Sequence, residues 1–403
     1  PASRCRNLAR VALPATVAAG ALLTLGIPAS ASPSTLYVSK NATSTGAGVS
    51  CSTATYSSIN AAIGAAAPGA TVVVCNGTYV GQVVVNKPVV LTGQHATVLA
   101  PGADTGITVL ASGATVEGFI VKGAIGEGIL VVGAPGAPVS GVTINDNVVE
   151  GNDLGNPTGA PTTSSPYAEC NASPQAPTIP GDCGEGIHLM VVASSVVSGN
   201  VVIDNAGGIL LTDEFGPTHN NTIEGNTVNY NVLDCGITVV SHSAKGFVNG
   251  ATVPRDGGVY NNAVRHNVLI GNGVSGQGGG VILATGGPGG AVYNNVVAFN
   301  TIWGNGLAGV TLHSHAPGQD LNGNKVEHNT IGTNNVDGDF DFFPHVDPVT
   351  TGVIVAAVSP VAITINGNAI SDDTDGIWTT GPVTVSGESS NTFSDVTFDI
   401  VSG

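Results

Sequence analysis

The stretch from Asn200 to His242, NVVIDNAGGILLTDEFGPTHNNTIEGNTVNYNVLDCGITVVSH, carries the pattern that decides the fold. In each half of it, two asparagines five residues apart are followed by a glycine and a short run rich in Val, Ile, Leu and Thr. Runs of this composition favour β-strands, and asparagine and glycine favour the tight turns between them. The stretch therefore predicts two copies of a unit built from short strands and turns.

This unit recurs along most of the chain. Asparagine pairs with the same spacing, the last completed by an aspartate, occur at Asn147 and Asn152, Asn200 and Asn205, Asn226 and Asn231, Asn267 and Asn272, Asn300 and Asn305, Asn329 and Asn334, and Asn368 and Asp373. Glycine-led runs begin at Gly128, Gly186, Gly208, Gly236, Gly280, Gly309 and Gly376, and a run shifted by one residue, DFDFF, follows Gly338. From Gly186 to Gly338 successive starts lie 22 to 44 residues apart, a period typical of stacked coils.

The repeat predicts an all-β fold, a single-stranded right-handed parallel β-helix (solenoid) with one coil per unit. Strands of one column then stack about 4.8 Å apart. We expect the asparagine columns to form amide ladders in the turns. Because unpaired strand edges invite aggregation, the ends need covers. A helix over Tyr56–Ala67 is predicted to cap the N-terminal rung, since Ile59 and Ile63 are spaced for one helix face.

The first 31 residues have the pattern of a secretory signal peptide. Three arginines precede an apolar run, and Ala29-Ser30-Ala31 supplies the small residues of a cleavage site. The apolar run is shorter than the ~20 residues that span a bilayer. The rest, 32–403, is predicted to be one β-helix domain with an N-terminal cap at about 32–93, repeat rungs at about 94–381 and closing strands at 382–403. We expect the protein to be secreted and extracellular.

Charge excludes some partners. The chain has 27 acidic and 10 basic residues, a net charge of −17, and three of the basic residues lie in the predicted signal peptide. Nucleic acid and anionic membranes are therefore not expected as partners. A polyanionic glycan would also be repelled unless a bound cation bridged it to the protein.

The cysteines predict two disulfides, which an exported protein can form. We pair Cys51 with Cys75 and Cys170 with Cys183, because each pair closes a short loop. Cys235 then has no partner and is expected to be a buried, small apolar residue.

The N-terminal stretch and the repeats resemble those of a known superfamily. The stretch from Tyr56 to Gly93, YSSINAAIGAAAPGATVVVCNGTYVGQVVVNKPVVLTG, and the asparagine–glycine units resemble the pectin-lyase-like superfamily with NosD-type repeats. The resemblance implies a parallel β-helix. It implies no single function, since that superfamily contains lyases, hydrolases, esterases, epimerases and proteins without activity. The catalytic signatures of pectate lyases, polygalacturonases and alginate epimerases are absent, so no catalytic role is carried over.

Side-chain alternation places the chemically active residues. The first and third residues after each leading glycine are apolar and are expected to face the core, so the second and fourth face outward. Glu214 and His242 are both sixth after a leading glycine in consecutive units, which predicts a separation of about 5 Å. His188 lies on the same face one rung earlier. We therefore predict a catalytic cluster of Asp213, Glu214, His242 and His188.

The long connections predict a groove beside this cluster. An insertion precedes Gly186, and longer turns at 213–221, 241–258 and 285–292 leave the strands on the other side. Their polar residues are predicted to bind substrate: Asp182, Glu185, His219, Lys245, Arg255 and Asp256. His313 and His315 point to one side and can hold a metal with loop carboxylates, and solvated turn histidines are the alternative. His266 and His328 are expected on the surface outside the groove.

The leading hypothesis is a secreted carbohydrate-active enzyme acting on a polysaccharide. A glycoside hydrolase needs two carboxylates flanking the bond, here Asp213 and Glu214 with Asp182 or Glu185 opposite. A polysaccharide lyase needs a base, here His242, Lys245 or His188, and a cation such as calcium for the uronate carboxylate. The competing class is a non-catalytic extracellular module that binds glycan, calcium or a protein.

Overall fold

The computed structural model describes residues 34–43, 45, 48–152, 185–242, 245–248, 251–254, 257–276, 278–286, 289–337 and 349–403, with backbone alone for 245–248 and 251–254. All of these belong to one unit, Pro33–Gly403. The predicted signal peptide lies outside the described residues. Among the described residues, no helix is long and apolar enough to span a bilayer.

Parallel strands stack into columns, as the repeat predicts. The strands of an eleven-stranded sheet are, in stacking order, Val83–Val85, Ile107–Val109, Ile129–Val132, Glu185–Met190, Gly207–Thr212, Ile237–Ser241, Val281–Thr285, Val310–Ser314, Thr351–Ala356, Asp375–Thr380 and Phe398–Ser402. A five-stranded sheet contains Val139–Ser140, Val192–Ala193, Thr218–His219, Val259–Tyr260 and Val292–Tyr293.

A twenty-one-stranded sheet completes each coil with two short strands in most rungs. Its strands are Thr35–Val38, Thr71–Val74, Gly77–Val80, Val90–Leu99, Thr115–Lys122, Thr143–Asn145, Val148–Glu150, Val196–Ser198, Val201–Ile203, Thr222–Glu224, Thr227–Asn229, Ala263–Arg265, Val268–Ile270, Val296–Ala298, Thr301–Trp303, Lys325–Glu327, Thr330–Ile331, Val361–Asn366, Ala369–Ser371, Val383–Ser386 and Thr392–Ser394. An antiparallel hairpin, Lys245–Val248 and Ala251–Pro254, enlarges one coil. The chain is a parallel β-helix.

The predicted amide ladders are confirmed. Asn200, Asn226 and Asn267 lie in consecutive rungs, and each side-chain amide donates to the next side-chain oxygen at 2.9 to 3.0 Å. The same oxygen accepts from the backbone N–H of the preceding asparagine, and the amide also donates to a strand carbonyl. Each buried polar group is thereby paired, which offsets the cost of removing it from water.

A third column was not predicted. It consists of Ser195, Asn221, Asn262, Asn295 and Asn324, each five residues before a member of the middle column. Three polar columns therefore mark three turns of the coil. The last member of one column, Asp373, accepts from the backbone N–H of Asn334 through Oδ1, while its buried Oδ2 has no hydrogen-bond partner.

The leading glycines form a column of their own. A Cβ on Gly186 would lie 3.2 Å from the carbonyl oxygen of Gly208 in the next rung, and one on Gly236 would lie 2.8 Å from that of Gly280. No larger residue fits there without displacing backbone. The rung after Val310–Ser314 is led by Gly352, in the strand Thr351–Ala356, so the prediction that the run after Gly338 forms this rung is wrong. The Gly338 run itself lies outside the described residues.

The N-terminal end is capped as expected. Helix α1, Ile59–Ala65, is N-capped by the Ser58 side chain and buries Ile59 and Ile63. The Cys51–Cys75 disulfide is confirmed, with Cα atoms 5.7 Å apart. Cys235 is free and buried, as predicted. The predicted partners Cys170 and Cys183 lie outside the described residues.

Candidate active site

The strands Gly207–Thr212 and Ile237–Ser241 of the eleven-stranded sheet are buried on both faces. In Gly207–Thr212, Ile209 and Leu211 point into the main core, as predicted for the first and third positions. Leu210 belongs to a separate apolar cluster with Val240 of the next strand. The outward positions thus form a second buried layer, and polar side chains there are shielded from water.

His188 occupies this outer layer and is fully buried. Its Nε2 lies 2.8 Å from Thr212 Oγ1, and its Nδ1 lies 3.5 Å from Glu127 Oε1. Burial opposes protonation of the imidazole, but the hydrogen bond to Glu127 and the charges of Glu127, Glu185 and Glu214 outweigh it. The pKa of His188 is therefore raised above its ordinary value.

Glu214 and His242 meet across consecutive rungs, as their shared position predicts. Glu214 Oε1 hydrogen-bonds directly to His242 Nδ1. The Glu214 side chain is 5% exposed and that of His242 is 21% exposed. The carboxylate holds the ring with Nδ1 inward, so Nε2 is the nitrogen turned away from it. This arrangement places an oriented imidazole at the edge of solvent.

Asp213 connects the loops around this pair. Its Oδ2 accepts from Ser241 Oγ and from the backbone N–H of Gly258, both at 2.8 Å. Its Oδ1 accepts from the backbone N–H of His242 at 3.1 Å. The carboxylate is fully buried. These contacts favour a positioning role, because Asp213 fixes the backbone that carries His242.

The profile of one protein family, described as "Periplasmic copper-binding protein (NosD)", matches the chain at residues 64–248 and 117–302. Together these matches cover more than half of the sequence. The chain belongs to the NosD family. The comparison with curated proteins finds no match for this NosD-family chain.

Several solved structures resemble it in fold. An alginate lyase from Paenibacillus sp. str. FPU-7 is 13% identical, with a TM-score of 0.47, over 81% of this chain and 96% of that one. The enzymatically active domain of bacteriophage CBA120 tailspike protein 2 is 12% identical, with a TM-score of 0.49, over 77% of this chain and 40% of that one. A GH87 alpha-1,3-glucanase from Streptomyces thermodiastaticus strain HF3-3 is 14% identical, with a TM-score of 0.46, over 85% and 65%.

Of the predicted substrate-binding residues in this NosD-family chain, the structure describes the side chains of Glu185 and His219. Glu185 is buried and contributes its charge to the surroundings of His188. His219 stacks on Tyr260 with ring centroids 4.9 Å apart in the five-stranded sheet, and burial lowers its pKa. Asp182, Arg255, Asp256 and the side chain of Lys245 lie outside the described residues.

His313 and His315 meet edge to face, with ring centroids 4.7 Å apart. Burial lowers the pKa of His313 well below its ordinary value, and the neighbouring His315 adds to the shift. His315 is exposed, and its Nδ1 lies 2.9 Å from the Thr285 carbonyl oxygen. His315 follows the strand two steps beyond the one that His242 follows. Metal binding at this pair stays a prediction.

Because the family is described as copper-binding, the chain can be searched for side chains that could hold copper. Copper takes imidazole, thiolate and thioether ligands, grouped around the ion. Among the described residues, no group of three His, Cys, Asp or Glu side chains is placed to hold a metal, and the thiol of Cys235 is buried. These residues therefore do not fit a copper centre.

Sequence reasoning missed Glu127, which contacts His188. A signal was present: GEGI occurs at Gly126–Ile129 and again at Gly184–Ile187, placing a glutamate before the leading glycine in two consecutive rungs. A charged residue repeated at that place in neighbouring coils indicates two carboxylates close together. The imidazole of His188 lies beside both, which reduces their mutual repulsion.

Proposed function

We propose that this chain is a secreted carbohydrate-active enzyme whose acid–base group is His242, oriented by Glu214. The supporting observation is the hydrogen bond between the buried Glu214 carboxylate and the partly exposed His242 imidazole. A carboxylate that fixes the tautomer of an imidazole makes the other ring nitrogen an effective proton acceptor or donor. The polysaccharide would lie at the edge of the eleven-stranded sheet, where Glu214 and His242 follow their strands.

His188 and Asp213 act in this proposal as positioning residues. His188 is fully buried, so it does not contact substrate, but its raised pKa favours a positive charge beside Glu214. The two charges attract each other. Asp213 holds the His242 backbone and Gly258 together. The two residues thus stabilise the charge and the geometry of the pair.

The charge around the pair favours hydrolysis over elimination. Glu127, Glu185 and Glu214 all act on His188, and the whole chain carries −17. A lyase must bring a uronate carboxylate into this negative field, whereas a hydrolase can accept a neutral sugar. A neutral polysaccharide is therefore the preferred substrate class, and a uronate lyase assisted by a cation such as calcium is the second choice.

A screen of the purified protein against neutral and uronate polysaccharides, with and without a chelator, tests this function. A hydrolase releases reducing ends without new ultraviolet absorbance, and a lyase product absorbs in the ultraviolet. The proposal expects activity that His242→Ala abolishes. An activity that survives both His242→Ala and Glu214→Gln contradicts the assignment, and no activity on any substrate favours the non-catalytic binding module.

A further inference from the structure

A second surface, on the twenty-one-stranded sheet, exposes two large aromatic rings. Tyr230 follows the strand Thr227–Asn229, and Trp303 ends the strand Thr301–Trp303. Tyr230 is 58% exposed and Trp303 is 55% exposed. Soluble proteins rarely leave such rings uncovered together without a binding role.

Each ring lies over a glycine of the next rung. A Cβ on Gly271 would lie 2.8 Å from Cδ1 and 2.9 Å from Cε1 of Tyr230, so the ring occupies the space of a side chain there. A Cβ on Gly332 would lie 3.2 to 3.6 Å from three neighbouring atoms at the centre of the Trp303 indole. The glycines therefore leave room for the two rings over the next rung, and more than half of each side chain stays exposed to solvent.

The two rings are spaced along the solenoid axis. Asn229 pairs with Ile270, and Ile270 pairs with Trp303, so two strand steps separate the rungs of Tyr230 and Trp303. Two steps correspond to about 10 Å. An extended β-1,4-linked glycan repeats after two sugar units over a similar length. A chain running along the axis can therefore stack one sugar on each ring and leave one between them.

The surface between the rings is uncharged. Outward positions of the strands that carry or separate the rings are occupied by neutral residues: Thr227, Asn229, Val268, Ile270, Thr301 and Thr330. Hydroxyl and amide groups there can hydrogen-bond to sugar hydroxyls, while the rings contact the apolar faces of the sugars. A neutral glycan suits this surface better than a charged one.

Phe299 provides a contrast on the same side of the coil. It is 51% exposed, but its ring is stacked between His266 and His328 at centroid distances of 5.1 and 5.2 Å. Both faces of the Phe299 ring are thus covered, and only its edge reaches solvent. Exposure without an open ring face makes Phe299 a matched control.

We propose that Tyr230 and Trp303 form an adsorption surface for an extended, neutral, β-1,4-linked polysaccharide lying along the solenoid axis. This surface is separate from the Glu214–His242 pair and does not require that pair to be catalytic. It would hold a polymer on the protein whether or not the polymer is cleaved.

Affinity electrophoresis in native gels containing hydroxyethylcellulose tests the proposal, with gels containing amylose or polygalacturonate as controls for chain shape and charge. We expect retardation of the wild-type protein in hydroxyethylcellulose and much less in the other two. Tyr230→Ala and Trp303→Ala should each weaken binding about tenfold, the loss typical of a central aromatic contact. Tyr230→Phe and Phe299→Ala should bind as the wild type does, and thermal melts should show that every variant is folded.

Several outcomes overturn the proposal. One is a wild-type protein that shows no retardation in hydroxyethylcellulose, and another is retardation of the two alanine variants as strong as that of the wild type. Retardation of the wild type that is stronger in polygalacturonate than in hydroxyethylcellulose would also overturn it. Light scattering supplies another: if Trp303→Ala converts a dimer to a monomer, the rings form an interface between two copies instead. Retardation that persists in His242→Ala, even where no cleavage is found, supports this surface and leaves the proposed enzyme function to be decided separately.

Discussion

The asparagine columns and the Glu127–His188–Glu214–His242 cluster both stack buried polar groups from rung to rung, but they do so by opposite means. In a column, identical neutral amides pair with copies of themselves, so the arrangement extends over any number of rungs. In the cluster, carboxylates are paired with imidazoles, as in Glu127 with His188 and Glu214 with His242. Stacked like charges repel, so such a cluster cannot repeat. The repeated asparagines thus have a structural role, and the charged residues that interrupt the repeat are the candidates for a catalytic role.

The largest effect is expected from breaking the cluster. Glu214→Gln and His242→Ala should each lower the turnover of any polysaccharide substrate by about 10²- to 10⁴-fold, as loss of a general acid or base does. Because both residues follow the end of a strand instead of lying within the sheet, the free energy of unfolding should change far less than the activation barrier. Steady-state rates and urea melts measure the two quantities.

His328→Asn is the matched control, since asparagine tolerates the left-handed backbone of this exposed position. It should leave turnover and stability nearly unchanged. If the two cluster variants keep full activity while His313→Ala abolishes it, the catalytic centre lies two rungs further along.

Breaking a column should act on stability instead. Asn226→Ala removes a side chain that pairs with Asn200, Asn267 and the Val197 carbonyl, and leaves their groups buried without partners. We expect a loss of about 1 to 3 kcal/mol in the free energy of unfolding. Urea melts check this, with Asn41→Ala, at an exposed position outside the columns, as control. A melt unchanged within error would mean that the amides are not energetically coupled.

Asp373, at the end of one column, predicts that the free energy of unfolding depends on pH. Burial, assisted by the charges of Asp372 and Asp375, raises the pKa of Asp373 to about 8. The unfolded carboxyl loses its proton near pH 4. Between these values the folded chain holds more protons than the unfolded chain, so stability should fall as pH rises from about 4 to about 8.

Asp373→Asn should remove this fall, because its amide needs no proton to act as a donor. The variant should match the wild type near pH 4 and be more stable than it above pH 8, where the wild-type carboxyl is ionised in its buried site. Urea melts at both pH values measure the difference. Asp395→Asn, at an exposed position, should show no such gain, and an equal gain in both variants would point to net charge instead of the column.

The sequence alone predicts the coil because the patterns that determine it, residue spacing and side-chain alternation, involve residues close together in the chain. The five-residue spacing of Asn200 and Asn205 fixes two turns, and alternation in Gly208–Thr212 separates core from outer positions. The contact of Glu214 with His242 followed from counting positions in two units. The column of Asn221 and Asn262 was missed although its spacing was visible.

Other features depend on which segments become neighbours in space. The Gly338 run resembles a rung by composition, yet Gly352 leads the rung that pairs with Val310–Ser314. The burial of His188 and the three bonds of Asp213 involve residues from separate loops and strands. No spacing rule reports such contacts, so the sequence does not distinguish an outward position from an accessible one.

Five coils contain a member of all three polar columns, and these columns divide each of the five into a constant and a variable part. The column of Asn221 and Asn262 precedes the column of Asn231 and Asn272 by ten residues in each of these coils. All differences in coil length therefore fall in the remaining segment, which carries the glycine-led strand and its loops. Residues can be gained or lost there while the amides stay in register. Loops that contact a ligand can thus change while the hydrogen-bonded columns that support them stay the same. Specificity and stability can therefore evolve separately.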